Sequence, residues 1–172
     1  MNGTLEHTDA GPRLRFVRAL AHPPEVVWRA ITEPEQLASW FPQRVSLERW
    51  EVGALVHFEH THVETATFDG EVLAFDPPRL LEFSWGPDVL RFELEPQGAG
   101  TRLTLLDTLE ELGKAARDGA GWHVCLDQLE HALQSSSPPW SSSERWREVH
   151  PSYVERLGPA AASIGPPEGA LA

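Results

Sequence analysis

Three histidines fall close together in the stretch ALVHFEHTH, at His57, His60 and His62, and raise the question of a metal site. Imidazole is a common zinc donor, but a zinc site needs three or four donors converging at about 2 Å. Side chains alternate across an extended strand, so His60 and His62 share one face and His57 takes the other. Without a bulge the three cannot meet on one ion, and the one cysteine, Cys125, falls in a distant helical stretch. The reading is exposed or cavity-rim histidines and no metal. Cys125 reads as packing, because a lone thiol on an apolar helix face packs far more often than it reacts.

Carboxylates are plentiful, at Glu48, Glu51, Glu59, Glu64, Asp69 and Glu71, but nothing in their spacing fixes a pair for general acid and base catalysis. They read as solvated strand faces. Asp107 differs, since it continues the phase of Leu103 and Leu105. It either sits exposed at a strand end or points inward, and a buried carboxyl needs a hydrogen-bond donor or a ligand. No Ser/His/Asp set, glycine-rich phosphate loop or nucleophile motif can be assembled, so neither an enzyme nor a cofactor is expected.

Aromatic side chains carry the remaining chemistry. The 172 residues include seven tryptophans, and an apolar lining with few polar groups is what small-molecule sites commonly present. The elements that carry them can be read locally. Leu14, Phe16, Arg18 and Leu20 alternate with Arg13, Arg15 and Val17, as in a half-buried antiparallel strand. Pro23 and Pro24 end it and open a helix whose apolar stripe is Val27, Trp28 and Ile31. Thr32 and Glu35 have the spacing of a capping box, so a second short helix follows with Leu37, Trp40 and Phe41, closed by Pro42.

From Arg44 to Leu109 roughly six further strands alternate with turn signals. Leu81, Phe83 and Trp85 share a face, as do Leu90, Phe92 and Leu94. Glu110 to Asp118 lacks periodicity, and a long amphipathic helix follows on Trp122, Cys125, Leu126, Leu129 and Leu133. Beyond a Ser/Pro linker, Trp146, Val149, Tyr153 and Leu157 repeat at helical spacing, predicting one or two short docked helices broken near Pro151.

Composition bounds the function. A net charge of −12 with scattered basic residues argues against nucleic acid. No apolar run approaches the ~20 residues of a membrane span and no apolar leader is visible, so a cytoplasmic protein is expected. Thirteen arginines against one lysine point to a GC-rich genome, not to chemistry.

One strand, two small helices, a run of strands and a long helix resemble the START-like (SRPBCC) superfamily. The closer likeness is to its branch similar to the C-terminal domain of the activator of Hsp90 ATPase. The wording VWRAITEPEQLASWF over residues 27–41 resembles that branch's pattern, as do Gly70-Glu71-Val72, Asp76-Pro77-Pro78-Arg79-Leu80, Phe83-Ser84-Trp85, Gly100-Thr101-Arg102-Leu103 and Gly121-Trp122. The likeness covers about residues 12–134.

The resemblance implies an α+β helix-grip fold: a curved antiparallel sheet of about seven strands wrapped on a long C-terminal helix, with a cavity between them. A flexible N-terminus is expected over residues 1–10, the domain over 11–135, linker and docked helical segment over 136–158, and a disordered tail over 159–172. The family does not imply one function; the aromatic residues together with the resemblance lead to an expectation of non-catalytic binding of a hydrophobic or aromatic small molecule, for example a polyketide, by Trp40, Phe41, Phe83, Trp85, Phe92, Asp107, Trp122 and Leu126, with Trp28 also in a cavity-lining element and Glu110–Gly119 as lid. Some START-like proteins of actinomycetes protect their host from an enediyne antibiotic by binding it and being cleaved. That alternative nominates Gly113 foremost, then Gly119 and Gly121, as cleavage points. A chaperone-binding role like the namesake's is a third alternative, although no counterpart of the namesake's separate N-terminal domain is visible.

Overall fold

The computed structural model describes residues 3–60 and 67–166. Within them the period-two stretches become strands β1 (Thr4–Thr8), β2 (Gly11–Leu20), β3 (Gln43–Ser46), β4 (Leu55–His60), β5 (Thr67–Asp76), β6 (Leu80–Trp85), β7 (Asp88–Gln97) and β8 (Gly100–Thr108). They form one sheet in the order β1-β2-β8-β7-β6-β5-β4-β3, every neighbour antiparallel. The apolar phases meet on its inner face: Phe16 lies opposite Leu105, Leu105 opposite Phe92, and Phe92 opposite Leu81, all buried. Burying one such side chain stabilises the fold by roughly 1.5–3 kcal/mol.

The sheet has eight strands instead of about seven because Thr4–Thr8, in the stretch expected to be flexible, forms a strand on the edge of β2. Thr4–Thr8 pairs with Arg15–Gly11 through a tight turn, and Gly11 takes φ +124°, open to glycine and not to larger residues. The segment is anchored further where the Gly3 N–H donates to Tyr153 Oη at 2.9 Å.

Helix α1 (Pro24–Thr32) opens on proline and buries Val27, Ala30 and Ile31. The capping box expected at Thr32 and Glu35 does not form before α2 (Pro34–Leu37), whose N-cap is Glu33. Thr32 is still helical, so its hydroxyl donates to its own i−4 carbonyl, on Trp28, at 2.7 Å. The same spacing succeeds at Ser141 and Glu144, ahead of α4 (Ser142–Leu157).

Helix α3 (Ala115–Leu133) lies across the inner face of the sheet, burying Ala120, Trp122, Val124, Leu126 and Leu129. Arg18 also points inward, from β2, and reaches Asp127 and Glu130 of α3. Helix α4 packs on α3 through Val149 and Tyr153, and it is not broken near Pro151. That proline stands on the exposed side, where water can satisfy the carbonyl that loses its partner. The close approach of α3 and α4 depends on Gly119: a Cβ there would lie 2.8 Å from the Tyr153 ring.

The chain beyond Gly158 is ordered further than its composition predicts. Pro159–Ala162 winds into a 3-10 turn, Ala161 is buried, and the Ile164 N–H donates to the Gly113 carbonyl at 3.0 Å. Small residues permit this because Ala161 and Ala162 fit against the core without a large side chain to accommodate. Residues 167–172 lie outside the described residues. No helix among the described residues is long and apolar enough to cross a membrane.

Candidate functional site

A cavity of about 500 Å³ opens between the turn after α2, the end of β6 and the N-terminal halves of α3 and α4. Its aromatic wall is Trp40, Phe41, Trp85, Trp122 and Trp146. Trp85 and Trp122 have ring centroids 5.3 Å apart, and Phe41 lies 5.7 Å from Trp122 and 6.5 Å from Trp85. These are tilted or edge-on contacts of the kind aromatic clusters favour.

Every indole N–H on this wall is held by the protein. Trp40 donates to the Ala30 carbonyl at 2.9 Å, Trp85 to Gln43 Oε1 at 3.0 Å, Trp122 to Asp107 Oδ2 at 2.8 Å and Trp146 to the Arg117 carbonyl at 3.2 Å. Each ring is thereby fixed in orientation, and a guest meets carbon faces and edges.

Of the residues nominated from sequence, Trp40, Phe41, Trp85 and Trp122 come together on the cavity wall. Phe83, Phe92 and Leu126 do not; they fill the space between sheet and helix as core. Trp28 is remote and packs on Phe75, ring centroids 5.6 Å apart. The opening is therefore displaced from the middle of the grip to its edge, where Gly121 presents bare backbone.

Asp107 is fully buried on β8, which settles it as inward-pointing. It stands behind Trp122 and not on the cavity wall: Oδ2 accepts the indole proton, and Oδ1 has no hydrogen-bond partner among the described residues. Burial pushes its carboxyl well above the usual range, with help from the negative charges of Asp88 and Asp118 and against the Trp122 donation. Asp88 is itself satisfied by Lys114 Nζ at 2.7 Å and by the Glu110 N–H at 2.8 Å. A buried carboxyl, its pKa raised by burial, thus supports the Trp122 ring from behind.

The segment Glu110–Gly119 is not a lid. Leu112–Lys114 forms a 3-10 turn, and α3 begins at Ala115, with Lys114, Ala115 and Ala116 buried. Alanines with high helix propensity and the Lys114–Asp88 pair pull this stretch into the fold. Gly113 consequently lies under the C-terminal segment, against Ser163 and Ile164, and Gly119 lies against Tyr153. Of the three nominated glycines only Gly121 is on the cavity wall, with nothing within 4 Å of where its Cβ would stand.

Sequence reasoning missed Gln43, Trp146 and the Arg117–Asp118 pair as wall residues. Their signals are geometric: Gln43 is buried yet polar, and Arg117 closes on Asp118 with contacts of 2.5 and 3.0 Å. Cys125, read as packing, is buried and also borders the cavity, one turn beyond Gly121. Burial pushes its thiol up to about 12, so it stays protonated at neutral pH. His57 faces outward and contacts Asp69 at 2.6 Å, whereas His60 sits beside Gln43 and Phe68. His62 and Glu64 lie outside the described residues. Among the described residues no three His, Cys, Asp or Glu side chains gather as metal ligands.

The family model described as "Activator of Hsp90 ATPase homolog 1-like protein" matches residues 21–134. No curated protein matches the chain. Among solved structures, the conserved protein of unknown function EF2215 from Enterococcus faecalis is 19% identical over 90% of both chains, with a TM-score of 0.74. CalU16 from Micromonospora echinospora is 22% identical over 90% of this chain and 95% of its own, with a TM-score of 0.70. The protein encoded by gene BPP1335 from Bordetella parapertussis is 28% identical over 84% and 85%, with a TM-score of 0.68. At such identities the first two establish a shared fold alone.

Proposed function

The chain belongs to the Activator of Hsp90 ATPase homolog 1-like family, and from that premise we propose that it holds a hydrophobic or aromatic small molecule, without transforming it, in the cavity walled by Trp40, Phe41, Trp85 and Trp122. The observation that supports this is the wall itself: about 500 Å³ of space bordered by five aromatic rings whose polar atoms are internally satisfied. Ligand cavities commonly have about this size and character. Two of the wall's reactive groups are held by their surroundings: burial pushes the Cys125 thiol up to about 12, and the Ser39 hydroxyl donates to the Gln36 carbonyl.

Intrinsic tryptophan fluorescence and thermal melting test the reading. A guest that binds only the folded chain stabilises it by about 2.7 kcal/mol at a concentration of 100 Kd. Trp85→Ala should weaken both quenching and thermal shift. A broad panel of lipids, polyketides and aromatic drugs that produces neither effect would refute the proposal.

A second reading, sacrificial resistance to an enediyne, draws support from Gly121. Its backbone borders the cavity without a side chain to shield the Cα–H from a bound diradical. Incubation with a thiol-activated enediyne, followed by intact mass analysis, should yield two complementary fragments meeting near residue 121. An uncut chain sinks it.

A further inference from the structure

Resting on the binding reading above, we infer that the guest is a flat aromatic molecule bearing an anionic group at one end, a carboxylate or phenolate, and that Arg44 is its counter-ion. The inference comes from the partners of the polar groups around the cavity, where Ser39 donates to the Gln36 carbonyl at 2.6 Å and the Ser143 hydroxyl meets that of Ser141 at 3.4 Å. The four indole donors are taken, as described. Gln43 is engaged at both ends, accepting from Trp85 and meeting His60 Nδ1 at 3.4 Å. Ser142 accepts from Gln128 at 2.9 Å. The Arg117 guanidinium is closed on Asp118.

Arg44 is the exception. It borders the cavity from the start of β3, is exposed, and its side chain makes no hydrogen bond or ion pair within the described residues. Glu59 stands opposite it in the β3–β4 ladder, yet the two side chains form no contact within salt-bridge distance. The charged residues bordering the cavity are Arg44, Arg117 and Asp118, with Glu59 across the ladder from Arg44, in a chain of net charge −12. Charges beyond roughly 8 Å are screened at physiological ionic strength, so a guest in the cavity experiences the local cation more than the distant carboxylates. A planar guanidinium matches a carboxylate in shape and charge.

The ring faces fix the other half of the guest. Trp85, Trp122 and Phe41 offer π faces and edges with no free donor, which suits a fused aromatic system and penalises a polyhydroxylated one whose groups would be buried unpaired.

The test compares 2-naphthoate with its neutral relative 2-naphthalenemethanol by tryptophan quenching, with wild type and Arg44→Gln. The acid should bind about fivefold more tightly than the alcohol at low salt, an exposed ion pair contributing modestly, and added salt should shrink the ratio. Arg44→Gln should abolish the preference and leave the alcohol's affinity unchanged, and Arg44→Lys should restore part of it. Equal affinities of the two probes for the wild type, or an equal loss of both in Arg44→Gln, overturns the inference while leaving the cavity reading intact. Binding of neither probe overturns both.

Discussion

Replacing Asp107 by asparagine tests whether a neutral acid underlies the aromatic wall. The amide keeps an oxygen in place to accept the Trp122 proton, now made at 2.8 Å, and cannot ionise. Burial raises the Asp107 carboxyl well above its ordinary range, so over a span of pH the folded chain holds a proton that the unfolded chain has released. The sign follows from linkage: where the native state binds more protons than the unfolded state, stability falls as pH rises. The decline begins near the ordinary carboxylate range, about pH 4, and continues up to the raised folded value. Within that window the wild type should lose about 1.4 kcal/mol per pH unit relative to Asp107→Asn. Near pH 4 the order can reverse, because the amide carries two donors where the acid carries one, and unpaired buried donors cost about 1–3 kcal/mol. Urea unfolding at a series of pH values measures both curves, and their difference cancels the other titrating groups. Trp122→Phe, which removes a donor that lowers the Asp107 pKa, should extend the slope to higher pH. A difference that stays flat from pH 4.5 to 8 would refute the reasoning, since Asp107 would then ionise as readily in the fold as out of it.

Other perturbations have equally definite signs. Gly119→Ala should destabilise by about 1–3 kcal/mol through overpacking against Tyr153, whereas Gly121→Ala should stabilise by up to about 1 kcal/mol because its Cβ meets open space; thermal melts that rank the two the other way refute the packing described for α3 and α4. Although burial alone would raise it, contacts with His123, Arg145 and Arg18 hold the Asp127 carboxyl down at about 2. Its contribution, roughly 2 kcal/mol, is therefore present above about pH 4 and lost as pH falls toward 2, so Asp127→Asn should show a shallower acid transition than the wild type in denaturant titrations. Deleting residues from 159 onward should lower the melting temperature measurably, since Ala161 and the Ile164–Gly113 bond are lost, and deletion from 140 should lower it further by removing Tyr153; no change in the first deletion would mean that the docked tail contributes nothing.

The parts of the fold legible in the sequence are those where one period repeats over a long stretch. Leu14, Phe16, Arg18 and Leu20 announce their face without reference to anything distant, and Trp122, Cys125, Leu126 and Leu129 do the same for α3. Illegible parts depend on partners far along the chain. β1 is only Thr4–Thr8, too short for its alternation to stand out, and it exists because β2 offers an edge and Tyr153 anchors Gly3. The start of α3 lacks apolar periodicity since alanine and glycine bury there on several sides at once. The site divides similarly. Tryptophans at 40, 85 and 122 can be nominated from residue type, but whether Phe83 and Phe92 line a cavity or fill it is decided by how closely α3 approaches the sheet.

That approach explains where the cavity lies. Where α3 buries Trp122, Leu126 and Leu129, these side chains join Phe16, Phe92 and Leu105 of the sheet in one core. One turn toward its N-terminus the helix carries Gly119, Ala120 and Gly121, and the two glycines serve different ends. Gly119 faces α4 and lets Tyr153 settle against the helix backbone, which brings Trp146 within reach of the Arg117 carbonyl. Gly121 leaves space between that helix and the turn bearing Trp40 and Phe41. Trp122, the residue after Gly121, belongs to core and cavity at once: its indole N–H is tied to a buried carboxyl, and its ring borders the opening. A guest resting on that ring contacts a surface whose position is fixed by Asp107. Asparagine at 107 should therefore leave ligand affinity nearly unchanged, while alanine there, which frees the indole from its anchor, should weaken it; equal affinities in the two variants would show that the wall holds its shape without the carboxyl.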